Sequence, residues 1–335
     1  MADAPAQYPW ARQSAGVAPM RRPGSVRRTT SIDTRWHDGP ASTKDMRGSA
    51  RDLLTPVDGG EAVVIDAATF HIAASPIREI LAIETAPDHP RLQEMVGVRA
   101  GGASRIALSA RLGDVRGGCL YQLLDDFAGA SLVAGWIWSQ WTEDWPQQAL
   151  ASGQRSTAGK GGVMTDICSG FATGSSALAE GGRPDHANQS STIVGPLINP
   201  DDPLGWHVMP DQQGHAQRRA RRIDVWLDDG RIEVEAGFQD SGPNPLGSRT
   251  AIHEYAVRMS VAADGSIAAL TAAPLILPYR ECPGASRNVG KLLGTQVGAL
   301  RDAVLETLPG PLGCTHLNDV LRALADVPVL ARALR

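Results

Sequence analysis

The stretch from Pro311 to Leu330, PLGCTHLNDVLRALADVPVL, decides the reading of this chain. A turn ending at Gly313 delivers Cys314 and His316 to the start of an amphipathic pattern, where free backbone N–H groups and the positive end of a helix dipole favour a thiolate. Far upstream, Arg116 to Val133 (RGGCLYQLLDDFAGASLV) has the same Gly-Cys start and a similar apolar rhythm. The spacing predicts two corresponding helices, one in each half.

The segments that lead into them correspond as well. Arg27-Arg28, Ile32-Asp33 and Asp38-Gly39 match Arg218-Arg219, Ile223-Asp224 and Asp229-Gly230 at a constant offset of 191 residues (27 to 218). Strand-like runs are expected from Arg27 into the Asp38-Gly39 turn, at Ala62–Ile65 and Ile77–Thr85, and then at Ile223–Leu227, Ile232–Gln239, Ile252–Val261 and Ile267–Ala273. Helical spacing is expected at Arg91–Val98, Val289–Leu293 and Gly298–Leu308, with a short loop leading through Ile106–Leu112 to the Cys119 helix. The fold class is therefore α+β, a tandem pseudo-twofold repeat in which each unit is an antiparallel sheet followed by helices. Residues 1–25 read as a mobile arm with an anchor at Trp10, 26–133 as the first repeat, 134–217 as a Trp-rich helix plus irregular insertion, and 218–335 as the second repeat. A ligand site between the two units is expected.

Composition narrows the functional classes. With 42% hydrophobic residues, 20% charged residues and a net charge of -4, the chain reads as a soluble globular protein with no electrostatic case for nucleic acid. The run Arg218, Arg219, Arg221, Arg222 is read as a solvated start of a strand. No apolar run reaches membrane-spanning length and the first 25 residues lack a signal-type apolar segment, so a cytoplasmic location is expected. Four cysteines in so long a chain do not make a disulfide framework. The chain has no dinucleotide or phosphate-loop glycine motif, no nucleophile elbow and no His-Glu-x-x-His, which disfavours nucleotide-dependent chemistry and the common hydrolases.

Several residues carry candidate chemistry. On one strand, alternation sends His253 and Tyr255 inward together as a base and acid, while Glu254 and Arg258 form a surface pair on the other face. Tyr121 and Asp125 lie one turn apart on the first Gly-Cys helix, a further proton-transfer candidate. Asp88-His89 reads as another acid–base couple, and Asp185-His186, His207 and His215 as loop residues. In GWIWSQWTEDW the indoles of Trp136, Trp138, Trp141 and Trp145 are candidates to wall an aromatic ligand pocket; the alternative is a helix face packed on a core or on a partner, with which a homodimer is compatible. Cys282, Cys314 and His316, with a carboxylate such as Asp319, make an alternative metal set suited to zinc or iron. A third reading takes the cysteines as small buried hydrophobes.

The second half, through Ile252-His253-Glu254-Tyr255, Pro278-Tyr279 leading to Cys282, and Gly313-Cys314-Thr315-His316-Leu317, resembles the bacterial domain-of-unknown-function 2889 family over roughly residues 218–330. The first half resembles it as a diverged copy, with Leu120 and Tyr121 where Thr315 and His316 stand and His89 in place of the first cysteine. The order of strands, cysteine, helices and second cysteine is also similar to the scaffold fold of NifU- and SufE-type iron–sulfur assembly proteins. The family resemblance implies a companion of aromatic and steroid catabolism. The resulting expectation is a cofactor-independent lyase acting on a hydrophobic aromatic small molecule, releasing formaldehyde from a lignin-type diaryl compound with His253, Tyr255, Tyr121 and Asp125 in the acid–base roles. The competing expectations are a metal- or sulfur-binding protein and a non-catalytic ligand-binding module.

Overall fold

Residues 10–142 and 163–335 are described by a computed structural model, in which nine strands build one antiparallel sheet. The first half supplies β1 (Ser25–Trp36), β2 (Lys44–Thr55), β3 (Val63–Ala74) and β4 (Ile80–Ala86). The connecting segment supplies β5 (Thr192–Val194), and the second half β6 (Gln217–Asp228), β7 (Arg231–Pro243), β8 (Arg249–Val261) and β9 (Ile267–Ile276). The order is β4-β3-β2-β1-β6-β7-β8, with β5 and β9 sharing the far edge of β8.

The two strand sets are continuous, because β1 pairs antiparallel with β6 from Ser25↔Trp226 to Thr34↔Gln217. The α+β class with antiparallel strands and several helices holds, but the two halves share one sheet in place of one sheet each. Arg27 bonds Asp224 and Arg218 bonds Asp33 across that seam, so residues placed in correspondence by the offset of 191 exchange partners. The notion of a repeat still rests on the sequence offsets.

The turns follow their local chemistry. Asp229 and Gly230 both adopt positive φ (44° and 74°), the twist a two-residue hairpin between β6 and β7 needs. Strand β2 escaped the sequence pattern because its inward positions include Gly48 and Ala50; the ring of Phe70, opposite Gly48, fills the space a larger side chain would take.

Helices lie over one face of the sheet. These are α1 (Gly102–Arg111), α2 (Cys119–Val133), α3 (Leu300–Thr307), α4 (Thr315–Ala323) and α5 (Val327–Arg332). Helix α1 stands where a loop through Ile106–Leu112 was expected; Ile106 points to solvent and only Ser104 and Leu108 are buried, so its apolar stripe is faint. The segments at Arg91–Val98 and Val289–Leu293 form 3-10 turns, Leu92–Met95 and Cys282–Leu292, in place of α-helix. Two apolar cores result. One joins α1 and α2 to β1–β4 through residues such as Phe70, Ile72, Leu123 and Phe127; the other joins α3–α5 to β6–β9 through Phe238, Tyr255, Leu317 and Leu321.

The opposite face is covered by chain without regular structure. From Trp10 onward the arm expected to be mobile lies against the sheet: Gln13 N–H donates to Leu275 O, Leu277 N–H to Ala11 O, and Ala15 N–H to Glu254 Oε1 at 2.7 Å. Trp10 is anchored by its indole N–H on Ser190 Oγ. Glu254 is therefore buried under the arm instead of forming a surface pair with Arg258. His207, expected in a loop, is buried between the hydroxyls of Thr29 (2.9 Å) and Ser31 (2.8 Å).

Candidate functional site

Strand register builds the site. Arg219, Asp240 and His253 are directly opposed across β6, β7 and β8, and the adjacent row on the same face is Arg221, Phe238 and Tyr255. Alternation sends both rows toward the helices, and the start of α4 brings Cys314, His316 and Asp319 down onto them. His253 and Tyr255 thus share one inward face, as the strand alternation predicts.

At the centre is Asp240, fully buried. Arg219 donates to its two oxygens through Nε (2.9 Å) and Nη2 (3.0 Å), and His253 Nδ1 lies 3.1 Å from Oδ2. Burial alone would raise this carboxyl, but Arg219 and His253 outweigh it and hold it well below the usual carboxylate range. With Asp240 ionised, the proton of neutral His253 is assigned to Nδ1, leaving Nε2 as the basic nitrogen. The imidazole of His316 stacks on that of His253, with ring centroids 3.5 Å apart and planes 21° from parallel. Burial pushes both imidazoles down; Asp240 opposes this at His253, while His253 adds to it at His316. Both rings are accordingly neutral near pH 7.

Three groups here bear atoms without a hydrogen-bond partner among the described residues. They are Arg221 Nε and Nη2, Tyr255 Oη and His316 Nε2. Arg221 spends only Nη1, on Asp126 at 2.5 Å, and its guanidinium lies 5.7 Å from the centroid of Phe238. A cation–ring contact is worth about 0.5–2 kcal/mol. Leaving a buried donor unsatisfied costs about 1–3 kcal/mol, more for a charged group, so the ring does not offset two such N–H groups.

The thiolate expectation at Cys314 is reversed. All four cysteines are buried, and burial pushes the thiols up, Cys168 to about 12. The helix end does not offset that desolvation, and Tyr255 beside Cys314 lowers its thiol only in part.

Tyr121 and Asp125 lie elsewhere in the same interlayer. Asp125 accepts from Arg301 Nη1 (2.7 Å) and Arg322 Nη2 (2.9 Å), and the Arg301 guanidinium sits 5.0 Å from the ring of Tyr121. Their link to His253 is indirect, through ion pairs from Asp125 to Arg105, Asp319, Arg219 and Asp240. Burial works to raise the Asp319 carboxyl, but Arg105, Arg219 and Arg221 bring it down to about 2. The arginine run at 218–222 is consequently not a solvated edge. Arg218 and Arg222 pair with Asp33 and Glu235 on one face, Arg219 and Arg221 with Asp240, Asp319 and Asp126 on the other. His89, for its part, meets Asp114 at 3.1 Å and not Asp88.

The tryptophan segment is a 3-10 turn, Ala134–Gln140, at the end of α2. Trp136 and Trp138 are buried with Val133, Ile137 and Ile252, and Trp138 stacks on His215 at 3.9 Å. Trp141 is half-buried and donates to Pro243 O; Trp145 lies outside the described residues. This cluster borders the site, since Ile137 packs against Gly242, two residues beyond Asp240.

A metal ion asks more of these donors than their geometry offers. Asp240, His253 and His316 have one ligand atom each within 4.8 Å of one another, as do Asp52, Asp66 and Cys119; neither group includes Cys282. A metal sits about 2.0–2.1 Å from an imidazole nitrogen and close to the ring plane. Rings stacked at 3.5 Å and only 21° from parallel have no common point at that reach, and Arg219 already occupies both oxygens of Asp240. In the second group Asp52 is held by both ends of the Arg28 guanidinium and the Cys119 thiol is pushed up by burial. Neither arrangement fits a metal as it stands.

Residues 217–330 match the family model described as Protein of unknown function (DUF2889). The matched segment contains β6–β9, α3, α4 and the first two-thirds of α5, and with them Arg219, Arg221, Asp240, His253, Tyr255 and His316. No curated protein and no solved structure matches the chain, and the likeness to the iron–sulfur scaffold fold is not borne out. Among the described residues, no helix is long and apolar enough to cross a membrane.

Arg219, Phe238 and Asp240 were missed by sequence reasoning. Their signal is present but indirect: four arginines within five residues of β6, on both faces of a buried strand, require acids on the neighbouring strands, and Asp240 is such an acid.

Proposed function

We propose that this chain is an enzyme that moves protons on an aromatic small molecule, a C–C lyase being the reaction its residues suit. The observation that carries the reading is the stack of His316 on His253 above an ionised Asp240. An imidazole with one nitrogen on a buried carboxylate and the other basic is a general base, and the carboxylate stabilises the imidazolium that forms. Burial keeps both rings in the basic form near neutrality.

The reaction in view is formaldehyde release from a 1,2-diarylpropane-1,3-diol. His253 takes the proton of the primary hydroxyl, and the C–C bond to the hydroxymethyl carbon breaks. Its electron pair becomes the new C=C bond as the neighbouring benzylic hydroxyl departs, protonated to water by the imidazolium of His253 while Tyr255 assists as a hydrogen-bond donor. Stilbene, formaldehyde and water account for every atom. Tyr121 and Asp125 act through the ion-pair chain as positioning residues, and the tryptophan cluster supports an aromatic substrate at the Asp240 end of the sheet. A cytoplasmic setting suits such small-molecule chemistry.

Incubation of the full chain with such a diol tests the reading. Formaldehyde and stilbene are expected in equal amounts, with Asp240→Asn slower by about 10²-fold or more. Absence of both products from the folded wild type overturns it. Stoichiometric zinc or iron in freshly purified protein would redirect the reading to metal chemistry.

A further inference from the structure

We infer that the row Arg221–Phe238–Tyr255, capped by His316, is a binding subsite for an anionic oxygen on an aromatic ring. The protein leaves several buried polar atoms unused. Arg221 is 1% exposed and Tyr255 fully buried, yet Arg221 Nε and Nη2 and His316 Nε2 have no hydrogen-bond partner among the described residues, and the hydroxyl of Tyr255 has only the weakly bonding Cys314 thiol beside it. They are not scattered. Register places Arg221 and Tyr255 on opposite sides of Phe238, and the His316 ring lies 6.5 Å from the Phe238 ring on the helix side. Tyr255, forced to remain protonated by burial, can only serve such an oxygen as a donor.

The unpaired guanidinium nitrogens give the sign of the ligand. Arg221 hydrogen-bonds a single carboxylate, Asp126, through one of its three nitrogens and acts on Asp319 only through space, whereas its neighbour Arg219 has Asp240 and Asp319 on all three. A guanidinium with two unpaired nitrogens, facing a phenol and an imidazole across the Phe238 ring, is a donor set for a carboxylate or a phenolate oxygen. Phe238 supplies an apolar ring at its centre, and His316, the least buried of the four, marks the side of approach. The subsite rests on the acid–base reading in one respect: it would hold the ring oxygen of the substrate while His253 handles the hydroxyl proton.

Binding can be measured without turnover. Isothermal titration calorimetry of the full chain with benzoate, 4-nitrophenolate and benzamide separates the sources, since the first offers a carboxylate, the second a phenolate and the third no charge. At least one anion is expected to bind about tenfold or more tightly than benzamide, and the better of the two names the group. Arg221→Gln and Tyr255→Phe should each weaken that anion by about fivefold or more and leave benzamide unchanged. Equal affinity for anions and amide, no binding of either anion, or wild-type affinity in both variants overturns the subsite. If Arg221→Gln does not fold, Tyr255→Phe, which keeps the ring, decides alone. Arg221-dependent anion binding without formaldehyde release would sustain the subsite and sink the lyase; formaldehyde release with no preference for anionic rings would do the reverse.

Discussion

The imidazole of His316 lies flat on that of His253 with ring centroids 3.5 Å apart, and Asp240 Oδ2 is within 3.1 Å of one ring and 3.9 Å of the other. Both histidines, and His207 on the opposite face of the sheet, are held neutral by burial, His207 down to about 4. Their folded values lie below the unfolded value of about 6.5, so the unfolded chain takes up protons first as pH falls. Stability from this source is complete above about pH 6.5 and is lost below it, at up to about 1.4 kcal/mol per histidine per pH unit. Urea denaturation at pH 7 and pH 5 should show the loss. His207→Asn and His316→Gln should each flatten the slope; an unchanged slope in both would contradict the assignment.

Arg219 is locked between Asp240 and Asp319, and all three side chains are almost fully buried. Replacing it with Met strands two carboxylates, an effect of about 3–5 kcal/mol. The denaturation midpoint should fall accordingly. The wild-type midpoint should respond little to added NaCl as far as these pairs are concerned, because buried pairs are weakly screened.

Helix α2 approaches the sheet through Gly129. A methyl group there would fall on Arg219 Nη1 and Asp319 Oδ2, both backed by further ion pairs. Gly129→Ala is expected to cost about 1–3 kcal/mol despite the better helix propensity of alanine. Gly102→Ala, where a methyl meets nothing within 4 Å, is the control and should be neutral or slightly stabilising in a thermal melt.

Cys314 opens a helix but is a thiol. Ellman's reagent at pH 8 should therefore leave all four cysteines of the native chain unmodified over minutes and titrate four after denaturation. Rapid labelling of Cys314 in the folded protein would restore the nucleophile reading.

Much of this arrangement was legible in the sequence. The two Gly-Cys starts are followed by helices at Cys119–Val133 and Thr315–Ala323, and the strand runs at 223–227, 232–239, 252–261 and 267–273 fall within β6–β9. The inward pairing of His253 with Tyr255 follows from alternation on one strand. Asp240 was beyond reach, because nothing local to SGPNP or to FQD marks an aspartate that faces a histidine only when β7 and β8 pair in one register. Strand β2 and helix α1 were missed where small or exposed residues blur the apolar period.

What the sequence determined by itself is the set of local elements, since hydrophobic periodicity, Asp-Gly turns and glycine at tight junctions act over a few residues. Tertiary structure alone decided which charges go inside. The pairing of β1 with β6 and the seating of α2 and α4 bury Arg28, Arg219 and Arg221 against aspartates from distant segments. It also decided protonation. Desolvation depends on everything packed around a group, so it turned the predicted thiolate at Cys314 into a thiol, made neutral imidazoles of His253 and His316, and left Arg221 and Tyr255 with donors still to satisfy.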